Sequence, residues 1–133
     1  MSSNENIAPS IATNLLDQHD WTDVQIHNLP SCPRTLVRGL PPKRLYLHPD
    51  DQIAALAEER ATGQRPKHEA VHEWVLPVRL AETWSLQNFA GVFDALDKPA
   101  DGREKRIMLA ILHNDSTVVY YFMQEGMVKP RQN

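Results

Sequence analysis

The order of hydrophobic patterns along this 133-residue chain predicts an α+β or mixed α/β domain that ends in a β-hairpin. Three observations carry that reading. Apolar residues recur at helical spacing in two segments, residues 50–60 and residues 85–96. Two runs rich in strand formers, RIMLAIL at 106–112 and TVVYYFM at 117–123, are separated by a short turn containing Asn114 and Asp115. The overall order is helix, strands, helix, then hairpin.

The elements follow in order. Residues 1–9 form a polar lead, and a short helix is predicted over 11–16 with Ser10 as its N-cap. Residues 21–26 alternate, which predicts a strand that buries Trp21, Val24 and Ile26. Short strands are predicted at 35–37 and 44–47, parted by Pro41 and Pro42. Pro49 suits the first turn of a helix over 50–60. Asp50 and Asp51 stand at its positive end, Ile53, Leu56 and Ala57 share a face, and Gly63 and Pro66 stop it. Residues 71–80 read as extended. Ser85 opens a second helix, in which Leu86, Phe89, Ala90, Phe93 and Leu96 form an apolar stripe. A polar loop over 98–104 leads into the hairpin. One domain over 10–129 with a tail at 130–133 is the expected division.

Composition narrows the function classes. Hydrophobic residues make up 41% and charged residues 23%, an ordinary globular mix, and no apolar run is long enough for a membrane span. The first residues lack the basic and apolar regions of a secretory signal. Cys32 is the single cysteine, so no intrachain disulfide forms, which fits a cytosolic or nuclear setting. The net charge of −3 predicts that any RNA contact is local or shared with a partner.

Few motifs suggest chemistry. HEAVH, His68 to His72, matches the zinc-hydrolase pattern with Glu69 as general base. That pattern needs a helix, in which residues i and i+4 lie about 6 Å apart. In a strand the same pair lies about 13 Å apart. Pro66 and Pro77 bracket the motif and Trp74-Val75-Leu76 favours extension, so no metal and no cofactor are expected. HPD, His48 to Asp50, matches the loop of J-domains but reads here as the entry to a proline-started helix. Lys129 and Arg131 are candidates for a phosphate contact.

The segments WVLPVRLAETWSLQNFAGVFDAL and RIMLAILHNDSTVVYYFMQEGMVKP resemble the small structural subunit of the eukaryotic tRNA-splicing endonuclease, the Sen-fifteen type. The strongest stretch runs from Leu109-Ala110-Ile111 through 115–121 to Glu125-Gly126, and weaker similarity reaches back through LLDQHDWTDVQIHNLP. Residues 50–66 look like a lineage-variable insertion. The resemblance implies the tRNA-endonuclease catalytic-domain fold, a mixed sheet flanked by helices. It also implies a four-subunit complex that excises introns from precursor tRNA, leaving 2′,3′-cyclic phosphate and 5′-hydroxyl ends. In that family two catalytic subunits use a Tyr, a His and a Lys without metal, and two structural subunits share the fold without the full triad.

Carried over residue by residue, Lys105 stands about where the triad lysine belongs, while Tyr46 and His68 or His72 lack the flanking pattern. No catalytic residue is therefore expected. The alternatives are a ribonuclease with a divergent Tyr46, His and Lys105 triad, or a zinc hydrolase through His68 and His72. The last strand is apolar on both faces: Val118, Tyr120 and Phe122 on one, Val119, Tyr121 and Met123 on the other. In the family this strand pairs subunits. Residues Thr117, Val118, Val119, Tyr120, Tyr121, Phe122 and Met123 are thus the expected partner interface. The implied partner is a catalytic subunit of the Sen-thirty-four type, with homodimers when the chain is isolated. The implied location is the nucleus or the cytosolic face of mitochondria.

Overall fold

The structure is a computed structural model that describes residues 6–32, 34–99 and 102–128. The elements run α1 (Ala8–Gln18), β1 (Thr22–His27), β2 (Leu36–Leu40), α2 (Pro49–Thr62), β3 (Glu73–Arg79), α3 (Leu86–Ala95), β4 (Arg106–Leu112), β5 (Val118–Gln124) and α4 (Glu125–Val128). The strands form one sheet in sequence order, β1-β2-β3-β4-β5. Neighbours are antiparallel except β3 and β4, which are parallel and joined through α3. The mixed α+β fold with a C-terminal hairpin is the one the sequence predicts.

The sheet is covered on both faces. On one face α3 places Val92, Phe93 and Leu96 over Leu36, Leu76, Val78 and Ile107. On the other, α1 places Ala8, Ile11 and Leu15 with Trp21 over Val37, Val75 and Ala110. Adjacent strand residues point to opposite faces, so a strand covered twice reads apolar throughout. That explains β3, whose central positions are buried whichever way they point, and β4, which buries Ile107 on one face and Ala110 on the other.

Local chemistry sets the element boundaries. α1 starts earlier than the sequence predicts: Ile7 is its N-cap, and Asn6 Oδ1 accepts the Ala8 N–H at 3.0 Å. Ser10 therefore lies inside the helix, and Pro9 occupies the first turn, where its missing N–H costs nothing. α2 begins at Pro49, with His48 Nδ1 accepting the Asp50 N–H at 3.0 Å, and stops at Gly63 in the left-handed conformation. Its shared face of Ile53, Leu56 and Ala57 meets no core: α2 has no buried residue, and Ile53 is 66% exposed. α3 opens with the capping box of Ser85 and Asn88. Leu86 faces solvent and Val92 takes its place in the buried stripe.

Three strand predictions need correction. β2 runs over Leu36–Leu40 rather than stopping at 37, and it passes through Gly39 because a side chain there would meet the Trp21 ring at 2.9 Å. Residues 44–47 are not a strand; Arg44 uses its guanidinium to hold the carbonyls of Tyr46 and Glu69, so this segment is tied down by a side chain instead of a ladder. Ile26 is 43% exposed because β1 is an outer strand. Trp21 and Val24 share the α1 face despite their odd spacing because the register shifts between Thr22 and Gln25, where Asp23 takes φ 51.

Pro77 sits in a central strand, where a proline needs a reason. The β2–β3 ladder reaches only Val75. Beyond it, Arg34 Nη1 donates to the Pro77 carbonyl at 3.0 Å. The N and O of one strand residue point to the same side, so the side lacking an N–H is the side that has no ladder partner.

Candidate functional site

β5 is an outer strand of the described sheet, paired along its inner side with β4 from Arg106↔Gln124 to Leu112↔Val118. The turn before it is fixed by Asp115 Oδ1, which accepts from both the N–H and the hydroxyl of Thr117. These bonds hold the Asp115 carboxyl below its usual pKa. Ser116 takes φ 73, and His113 N–H donates to the Thr117 carbonyl at 2.8 Å.

The two faces of β5 differ. Val118 and Tyr120 pack on the α1 cluster, and Phe122 meets the Tyr46 ring with centroids 6.1 Å apart. Tyr120 donates its hydroxyl to Asn14 Oδ1 at 2.6 Å and contacts His19 edge-on. On the other face Met123 packs against the α3 cluster. Val119 is half-buried and Tyr121 is 54% exposed. Their cross-strand neighbours are Ile111 and Leu109, so four apolar side chains line this face along the free edge of the sheet. Of the three β5 residues on this face, Met123 is engaged within the chain and Tyr121 is the most open.

The structure gives Tyr46, His72 and Lys105 different partners; His72 and Lys105 line one cleft, while Tyr46 and His68 lie outside it. The Tyr46 ring lies under the Arg106 guanidinium and against Phe122, on the α1 side. Arg106 in turn forms a two-pronged pair with Glu73, which is 2% exposed. His72 Nε2 lies 2.7 Å from Asp23 Oδ2 of β1. Lys105 donates Nζ to the Phe93 carbonyl at 2.8 Å, near the last turn of α3 on the opposite face. It is half-buried. His68 is exposed. The HEAVH segment is not helical, as its prolines predict, so the spacing that lets two histidines share an ion is not formed. No group of three or more candidate metal ligands occurs among the described residues. Lys129 and Arg131 lie outside the described residues.

The buried Glu73–Arg106 pair is the main feature that sequence reading missed. A charged residue at each strand start reads as a surface position, and only the parallel alignment of β3 with β4 brings the two together.

Comparison with known proteins gives a consistent result. The family model for the Sen15 protein matches residues 10–133. The "Probable tRNA-splicing endonuclease subunit tsp-1" of Neurospora crassa is 48% identical over 142 aligned residues, covering 92% of this chain and 64% of that protein. The chain thus spans just under two thirds of that relative. The "tRNA-splicing endonuclease subunit SEN15" of Eremothecium gossypii is 33% identical, covering 92% of this chain and 87% of that protein. A Schizosaccharomyces pombe protein named "Probable tRNA-splicing endonuclease subunit sen15" is 38% identical over 71 residues, 46% of this chain and 50% of its own. With the profile matching nearly the whole chain, the chain belongs to the Sen15 protein family.

Proposed function

We propose that this chain is a non-catalytic structural subunit of a tRNA-splicing endonuclease, the complex that excises introns from precursor tRNA and leaves 2′,3′-cyclic phosphate and 5′-hydroxyl ends. Membership of the Sen15 family supports the subunit role. The observation that supports the non-catalytic part is that Tyr46, His72 and Lys105 are each held by another group, with Tyr46 outside the cleft that His72 and Lys105 line. Each is engaged with a different neighbour: Arg106 and Phe122, Asp23, and the Phe93 carbonyl. General acid–base transfer needs these groups within hydrogen-bond reach of one reacting phosphate. A lysine held to a helix-end carbonyl, a histidine held to Asp23 and a tyrosine packed under Arg106 do not meet that condition.

The chain's task in this reading is assembly. The outer strand β5, with Tyr121 and Val119 toward the open face, is the proposed seat of a catalytic subunit of the Sen-thirty-four type. The test is reconstitution. The isolated chain leaves precursor tRNA intact, and adding it to the remaining subunits restores intron excision. Metal-independent cleavage by the chain alone, lost in Lys105→Ala, overturns the reading.

A further inference from the structure

We infer that the end of the sheet at which β3 and β4 begin is an RNA phosphate-binding cleft. This rests on the endonuclease reading and names where RNA meets this subunit.

The cleft has a volume of about 730 Å³ and is lined by Arg38, Arg44, Lys98, Lys105 and Arg106, with His72 beside them, against two carboxylates, Glu73 and Asp97. In a chain whose net charge is −3, this concentrates positive charge at one place. Glu73 is taken up by Arg106 through bonds of 3.1 and 2.8 Å. The other four cations form no ion pair with a described carboxylate.

Three of them, Arg38, Arg44 and Lys105, have neutral partners instead. Arg38 lies over the Trp74 ring, 5.0 Å from its centroid. Arg44 Nε donates to the Tyr46 carbonyl at 3.0 Å and Nη1 to the Glu69 carbonyl at 3.3 Å. Lys105 donates to the Phe93 carbonyl at 2.8 Å. Rings and carbonyls fix a cation in place and leave its charge unneutralised. Structural ion pairs would cancel these charges; here the fold orients them and leaves them available to an anion.

The layout selects a polymer. Arg38 and Lys105 belong to the α3 side, through Trp74 and Phe93. Arg44 stands with Tyr46 on the α1 side. A small anion reaches one side of the sheet end, whereas a phosphodiester backbone, with a charge on every residue, can follow the cations around it. Contacts of this kind position RNA without reading its sequence.

Fluorescence anisotropy with a labelled oligouridine and a labelled RNA duplex, titrated against salt, tests the assignment on the full chain. About four phosphate contacts give a log–log salt slope of roughly −3 on single-stranded RNA. Lys98→Glu combined with Arg38→Gln is expected to weaken binding about tenfold and to flatten that slope by about one to one and a half. The control, Arg60→Glu with Lys67→Glu, makes a similar charge change on exposed residues outside the cleft and leaves both values unchanged. Circular dichroism verifies that each variant is folded, and Lys98→Glu alone serves if the double variant is not. Equal loss in the control, or an unchanged slope in the cleft variant, overturns the assignment. So does a polyglutamate peptide that binds the cleft more tightly than RNA, which makes it a seat for an acidic protein segment. Because pull-down with the other subunits is scored separately, a cleft variant that assembles normally but loses RNA affinity isolates the cleft from the subunit role. A chain that fails to assemble defeats the endonuclease reading without touching the anisotropy result.

Discussion

Tyr120 carries its hydroxyl into the layer between α1 and the sheet, where Asn14 Oδ1 is its partner at 2.6 Å. Burial disfavours the phenolate and pushes its pKa from 10.0 up to about 12. The sign follows from proton binding. Between those values the folded chain keeps a proton that the unfolded chain releases. The stabilisation is therefore complete below pH 10 and is lost as the pH rises through about 12. Tyr120→Phe removes both the bond to Asn14 and this alkaline sensitivity. At neutral pH it is expected to cost about 1 kcal/mol, the net worth of an ordinary hydrogen bond. Urea unfolding of the two proteins at neutral and at alkaline pH checks this: the gap between them narrows as the tyrosine titrates. The Glu73–Arg106 pair works at the same scale by a different rule. With Glu73 2% exposed, the pair is no cheap source of stability, but loss of either member strands a charge, at a cost of about 3–5 kcal/mol.

Among the elements, α3 rests most directly on local sequence. Ser85 Oγ accepts the Asn88 N–H at 3.1 Å, and Asn88 Oδ1 accepts the Ser85 N–H at 3.0 Å. Ser85→Ala is expected to lose about 1 kcal/mol of stability. Leu86→Ala, one residue on, changes it by less than about 0.5 kcal/mol because Leu86 is 62% exposed. Thermal melts of both variants compare a cap with a solvent-facing leucine. The cap was legible because Ser85 precedes an apolar period, and α2 was legible from Pro49 and Gly63. Which residues of each helix are buried was not, since periodicity gives a face and tertiary packing decides whether anything meets it. Ile53 and Leu56 show this: they share a face that stays exposed. β2 was read too short, and the purpose of Gly39 within it appears only when the Trp21 ring lies across it. In the candidate interface the alternation of β5 was readable. The division of its outer face was not, because Met123 joins a cluster built on α3, whose buried residues lie more than twenty positions away in sequence.

At the scale of the whole molecule, the sheet has two outer strands with different surfaces. β1 is short, broken by the shift at Asp23, and exposes Thr22, Asp23 and Gln25, features that discourage pairing. β5 runs for seven residues paired to β4 throughout, with Tyr121 and Val119 on one face and no charged residue among its members. An outer strand of that composition invites another strand, so association is expected at β5 and not at β1. Pairing of two β5 strands about a two-fold axis uses the same surface on both copies and closes at a dimer. Val119→Asp with Tyr121→Glu places charges on the open face while sparing Val118, Tyr120 and Phe122, which hold the strand to its own core. The expected outcome is a folded chain by circular dichroism that sediments as a monomer and no longer captures its partner subunit. Tyr120→Glu is the contrasting change: it drives a charge into the layer under α1 and unfolds the domain before association can be scored. A folded double variant that still dimerises and still binds its partner would refute β5 as the interface. Equal unfolding by both changes would show that Tyr121 carries as much of the core as Tyr120, against its 54% exposure.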